Sequence, residues 1–194
     1  MPYLSPPTLT ADEQRAILRF TAGHPRDHAI FSLALGTGLR LAEIVGLNVA
    51  DVFAPDGMPR VRIRIRAEIA KGRRAGDVFL PDRLPPKMKR LLAYKKKRGE
   101  GLLPGDPLFC NQSRNRISKR RVQYAWRTWQ RRAGFDRNYN FHCMRHSAVT
   151  AVYRMTGDLF LAQRFARHAS PLTTVVYTHP SDEELYAGIR DLKC

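Results

Sequence analysis

Apolar and polar positions alternate with two distinct periods along this chain, and the helical period dominates. Pro2, Pro6 and Pro7 give residues 1–9 an extended lead-in, and Thr10-Ala-Asp-Glu13 then reads as a capping box that opens a helix. A second helix is predicted from Pro25, with Ala29, Ile30, Leu33 and Ala34 on its buried side, ending at Gly36-Thr-Gly38. Arg40 enters a short helix that runs through Val45. The period then changes to two: Val61, Ile63 and Ile65 alternate with Arg60, Arg62, Arg64 and Arg66, which predicts a strand with one apolar and one cationic face. Lys71 to Asp77 reads as a turn and Val78-Phe-Leu80 as the return strand of an antiparallel hairpin, so Lys71 is placed near the hairpin tip.

Helical spacing resumes at Pro85 and Pro86 and lasts to about Arg98, where a loop rich in glycine and proline follows. Ser118 is expected to cap a helix through Arg132 with Gly134 as its stop. Further helices are expected from His142 to Met155, from Asp158 to about Arg167, after Ser170-Pro171, and over residues 181–191, where Ser181 and Glu184 form a capping box. The fold class is therefore α+β, mainly α, with one small antiparallel sheet, and residues 10–194 are expected to form one domain.

Charge narrows the partner. Lysine and arginine number 34 against 17 aspartate and glutamate, a net charge of +17, which exceeds what solubility requires and points to a polyanion. Arginine predominates, and its fork suits bidentate contact with phosphate. Arg60, Arg62, Arg64, Arg66, Arg73, Arg74, Lys119 and Arg120 are the candidate DNA-binding side chains. Cys110, Cys143 and Cys194 have no paired spacing, so no disulfide framework is expected and a reducing cytoplasm fits. No apolar run has membrane-spanning length, and Met1 to Pro7 lacks the pattern of a signal peptide.

Four segments carry residues suited to phosphate chemistry. In Thr37-Gly-Leu-Arg40-Leu-Ala-Glu43 an arginine follows a glycine turn at a helix mouth, with a glutamate one turn on along the same face. In His142-Cys-Met-Arg145 a three-residue spacing sets an imidazole beside a guanidinium. His168 precedes Tyr177 by nine residues, and Lys71 supplies an ammonium on the hairpin. Each segment alone has an ordinary structural explanation: an intrahelical ion pair, a chance spacing, a core tyrosine, a solvated lysine.

Taken in order, the four segments resemble the tyrosine recombinase family of phage integrases and Xer-type resolvases. Thr37-Gly-Leu-Arg40-Leu-Ala-Glu43-Ile looks like its first-arginine motif, Lys71-Gly72 like its hairpin lysine, His142-x-x-Arg145-His146 like its central box, and His168 with Tyr177 like its final box. The likeness runs from Leu9 onward. Two positions depart from the pattern: Arg167 stands where the family commonly has glycine, and Met144 where it usually has leucine. The family's separate helical DNA-clamping domain has no counterpart at the front, so the chain is expected to be either a short member or an excised catalytic domain.

The resemblance implies an enzyme that cleaves and rejoins double-stranded DNA through a 3′-phosphotyrosyl bond. Tyr177 would be nucleophile, Arg40 and Arg145 the phosphate clamp, and Lys71 the acid for the leaving 5′ oxygen. His142 and His168 would assist at the phosphate and the tyrosine, with Glu43 orienting the cluster. Two arginines would do the electrostatic work of a metal, so neither metal nor other cofactor is expected. The implied partners are DNA and further copies of the chain, four on paired sites, docked through the helix over 181–191. Three alternatives stand beside this reading: a DNA-binding regulator that kept the fold and lost the chemistry, a type IB topoisomerase-like enzyme, and a metal-dependent hydrolase built on His24 and His28 or on His142 and His146.

Overall fold

The computed structural model describes residues 6–177 and residue 190. Its elements are α1 (Ala11–Thr21), α2 (Pro25–Thr37), α3 (Leu41–Gly46), α4 (Val49–Val52), β1 (Arg62–Ile65), β2 (Gly76–Phe79), α5 (Pro85–Lys97), α6 (Lys119–Arg132), α7 (Cys143–Thr156), α8 (Leu159–Ala166) and α9 (Leu172–Val175). The expected mainly helical α+β fold is the observed one. The expected helix over 181–191 lies outside the described residues. No described helix is long and apolar enough to cross a membrane.

Local chemistry explains where the elements start. The Thr10 hydroxyl accepts the Glu13 amide at 3.1 Å while the Glu13 carboxylate accepts the Thr10 amide at 2.7 Å, so two otherwise orphaned donors at the mouth of α1 are satisfied. The lead-in is part of the fold at its inner end, because Leu9 is buried and its amide donates to the Ser147 hydroxyl at 2.7 Å. Asn48 and Asp51 form a second box that opens α4, a helix absent from the sequence-based expectation.

Helix α2 is the central pillar. Asp27 through Ala34 and Thr37 are all buried, and the helix packs on both α5 and α7. A helix covered on almost every side belongs to the interior. Around it Phe31, Trp126 and Phe141 stack edge-on or tilted, with centroids 5.4 to 6.3 Å apart. The polar groups taken inside are matched: the Trp129 indole N–H donates to Asp27 at 2.8 Å, and the fully buried Lys95 ammonium meets Glu100 at 3.3 Å and the Pro107 carbonyl at 2.9 Å.

The hairpin pairs antiparallel in the register Arg62 with Phe79 and Ile65 with Gly76. Ile63 and Ile65 are buried as the alternation demands, but Val61 is 73% exposed and lies outside β1. The return strand begins earlier than the apolar run suggests, at Gly76, because pairing is set by backbone register with β1. Besides the main core there is a smaller one, in which Val149, Ala162, Ala166 and Tyr177 pack together with Val152, Tyr153 and Phe165.

Candidate active site

The turn after α2 builds the first part of the site. Gly38 has a left-handed backbone (φ 62°), and a Cβ there would lie 2.9 Å from the Phe165 ring, so the position needs glycine on both counts. The tight turn delivers Arg40 to the N-cap of α3, where its amide donates to a Glu43 carboxylate oxygen at 2.8 Å. The Arg40 guanidinium stays 3.5 Å from the other Glu43 oxygen, with about a quarter of its side chain exposed. Glu43 itself is buried.

Arg145, on the first turn of α7, reaches across the domain. It is 2% exposed, and its guanidinium donates to the Gly38 carbonyl and to the Ala166 carbonyl. Burial and the neighbouring Arg40 lower its pKa to about 10, which leaves it cationic at neutral pH. One side chain therefore ties the first-arginine turn to the end of α8.

Two histidines flank the tyrosine, and a third packs against one of them. The Tyr177 hydroxyl lies 2.7 Å from His146 Nδ1, and the His168 ring runs nearly parallel to the Tyr177 ring with centroids 6.0 Å apart. His168 is fixed by a 2.9 Å contact between its Nδ1 and the Thr174 hydroxyl. His142 meets His146 edge-on with centroids 4.5 Å apart. Desolvation lowers the pKa of His142, and the charges of Arg145, Arg40 and Lys71 push it the same way, which puts Lys71 within electrostatic reach of the central box. Lys71 is exposed and lines a cleft of about 1190 Å³ together with Arg40, Glu43, Arg167 and His168. Burial pushes the Tyr177 phenol upward while Arg145 and Arg40 pull it back.

The structure thus brings Arg40, Glu43, Lys71, His142, Arg145, His168 and Tyr177 to one place. His146 is the member that sequence reasoning did not assign to the site. It was visible as the last letter of the central box and as a candidate metal ligand beside His142, whereas its actual partner lies 31 residues away. Arg167 is the second: its guanidinium sits 2.5 Å from Glu43.

A model of the phage integrase family matches residues 7–184. The chain belongs to that family. It is 32% identical over 153 residues to the tyrosine recombinase XerC of Neisseria meningitidis serogroup B, an alignment covering 79% of this chain and 47% of the relative. The crystal structure of XerA recombinase matches with a TM-score of 0.82 at 26% identity, covering 98% of this chain and 67% of that one. The XerH site-specific recombinase bound to its difH substrate matches at 0.74 with 25% identity, covering 97% and 55%. The chain spans about half the length of the XerC relatives it matches.

The eight basic side chains expected on the DNA face of this phage integrase domain divide by their surroundings. Arg62 and Arg74 line the cleft beside the site, Arg73 is exposed on the hairpin turn, and Lys119 and Arg120 are exposed at the start of α6. Arg60, Arg62 and Arg64 rim a second hollow of about 300 Å³ with Asp51 and Asp77. Arg60 also donates to the Ala50 carbonyl at 3.1 Å. Arg66 stands apart, bound to Asp51 at 3.1 Å and to the Gly46 carbonyl at 2.9 Å, so its guanidinium holds β1 to α3 and α4. Of the histidines weighed as metal ligands, His24 lies against Trp129, His28 Nδ1 is 3.1 Å from the Thr21 hydroxyl, and His146 is taken by Tyr177.

The histidines make stability pH-dependent. Burial and neighbouring cations hold His146 and His168 near about 4 in the folded protein, against the ordinary 6.5. Between those values the unfolded chain binds protons that the folded one excludes, so stability is lost as pH falls from 6.5 toward 4. Thermal melts between pH 7 and 5, above the carboxylate range, should show Tm falling, and less steeply in His146→Gln. A Tm that is flat or rises toward pH 5 would contradict the neutral-histidine arrangement.

Proposed function

We propose that this chain is the catalytic part, over residues 10–194, of a site-specific recombinase that cleaves and rejoins double-stranded DNA through a 3′-phosphotyrosyl bond at Tyr177. The observation that carries the reading is the Tyr177 hydroxyl, 2.7 Å from a neutral imidazole and gathered with Arg40, Arg145, His142, His168 and Lys71. A structural tyrosine has no need of a cationic cluster around its hydroxyl. A phosphodiester does, because charge grows on its non-bridging oxygens at the transition state.

In this reaction the Tyr177 oxygen forms a bond to phosphorus as the phosphorus–O5′ bond breaks. The phenol proton passes to the histidine side, where His146 Nδ1 is already in hydrogen-bond contact. Lys71 gives its proton to the departing O5′. Arg40 and Arg145 hold the non-bridging oxygens, assisted by His142 and His168, and Glu43 keeps Arg40 in place. Energy is conserved in the phosphotyrosine, so rejoining is the same step reversed with no ATP or metal. The basic side chains along the hairpin and at the start of α6 would follow the DNA backbone. Assembly into four subunits on paired sites, through the segment over 181–191, and action in the cytoplasm complete the proposal.

The test is direct. The protein is incubated at low salt with a pool of nicked duplexes of randomised sequence, which trap a covalent intermediate by letting the short cleaved fragment diffuse away. A denaturing gel should show a protein–DNA adduct, and peptide mapping should place it on Tyr177. Absence of any adduct, or one on another residue, would refute the assignment.

A further inference from the structure

Arg167 follows the last residue of α8 with a left-handed backbone, φ 54° and ψ 44°. Glycine takes that conformation freely, whereas a residue with a Cβ is strained in it. An arginine held in that conformation is strained unless its surroundings compensate, so the contacts of its side chain matter.

Its course through the structure shows them. From the end of α8 the side chain passes beneath β2, where its Cδ lies 3.2 Å from the point a Cβ on Gly76 would occupy. It ends at Glu43, with Nη2 at 2.5 Å from Oε2 and only 15% of the side chain exposed. Nη2 is buried there without hydrogen-bond geometry to any acceptor, so the contact is a charge pairing. The same Glu43 oxygen accepts the Arg40 amide. A single side chain thus touches the Arg40–Glu43 turn and the hairpin that carries Lys71, and it is covalently next to His168. It also occupies the carboxylate closely while the Arg40 guanidinium remains at 3.5 Å from Glu43 and partly open to the cleft.

We propose that Arg167 is a positioning residue that clamps the Lys71 hairpin and the Arg40–Glu43 turn onto the His168 segment, so that these three parts of the site close as one unit. The catalytic half of this inference rests on the function proposed above; the clamp itself does not.

Arg167→Gly removes the side chain and relieves the backbone, so the fold is not put at risk. Arg167→Ala removes the side chain and keeps the strain, which separates the two effects. Amide hydrogen exchange reads the clamp without any reaction: the amides of Gly76–Phe79 should exchange about tenfold faster in both variants, an effect typical of one lost contact between neighbours, while those of α6 stay unchanged. Unchanged exchange in the hairpin would overturn the clamp.

Cleavage then reads the consequence, on the duplex recovered from the trapping experiment. Arg167→Gly should slow single-turnover cleavage about tenfold. On the same duplex with a sulfur at the bridging 5′ position the deficit should shrink but not vanish, because a thiolate leaves without the proton that Lys71 supplies while the part that acts through Arg40 remains. Lys71→Ala serves as the benchmark for that rescue. An equal deficit on oxygen and sulfur substrates would show that Arg167 does not act through Lys71, and no deficit on either would overturn its positioning role. If the unaltered protein forms no adduct, the recombinase reading fails and the exchange result still decides the clamp.

Discussion

Tyr177→Phe should abolish the covalent adduct while leaving DNA binding and the fold nearly intact. The ring is packed in the small core with Val149, Ala162 and Ala166, and phenylalanine keeps all of that packing. What is lost is one hydrogen bond, to His146, of about 1 kcal/mol net. The nucleophilic oxygen goes with it, and no rate remains for a step that needs that atom. The measurement is the denaturing gel described above, with filter binding as the control. A persistent adduct would point to another nucleophile, and Tyr153, packed against the same small core, would be the first to examine.

Arg145→Ala should damage both stability and reaction. Two buried carbonyls, Gly38 and Ala166, lose their donor. Each such loss costs about 1–3 kcal/mol, so a drop of several kcal/mol is expected in denaturant titration. Losing a positioned donor at the phosphate should cost a further 10²–10³-fold, roughly, in cleavage among molecules that remain folded. Arg145→Lys separates the contributions: an ammonium keeps the charge but lacks the fork that reaches both carbonyls, so stability should still fall while cleavage suffers less than in Arg145→Ala. A wild-type melting curve for Arg145→Ala would show that the two carbonyls do not depend on it.

Much of this fold was legible because its boundaries are marked by strong local chemistry. The Thr10–Glu13 box, Ser118, and the glycines at 38 and 157 act over one turn of chain, and helices begin and end within a residue or two of where they indicate. The residues proposed as catalytic were picked out for a different reason, their ordered likeness to a family. What escaped was settled by contacts between distant segments. Val61 fits the alternation yet lies outside the strand with its side chain exposed, although its carbonyl still accepts the Leu80 amide at 2.8 Å. Arg66 fits the cationic face yet is drawn to Asp51, a partner the period-two pattern cannot register. His146 was read as part of the central box without a role and contacts the tyrosine hydroxyl, because α7 and the chain after α9 meet only in the folded molecule.

The two carbonyls that receive Arg145 share a position: Gly38 caps the end of α2, and Ala166 is the last residue of α8. Helix C-termini carry the negative end of the peptide macrodipole, equivalent to about half an elementary charge each. The guanidinium is therefore steadied by two fixed dipoles, while the carboxylate of Glu43 is engaged by Arg40 and Arg167. Dipoles stabilise a cation without cancelling its formal charge, as a carboxylate would. In the proposed reaction a phosphodiester would therefore meet a positive charge already oriented by the backbone, with no carboxylate bonded to that guanidinium.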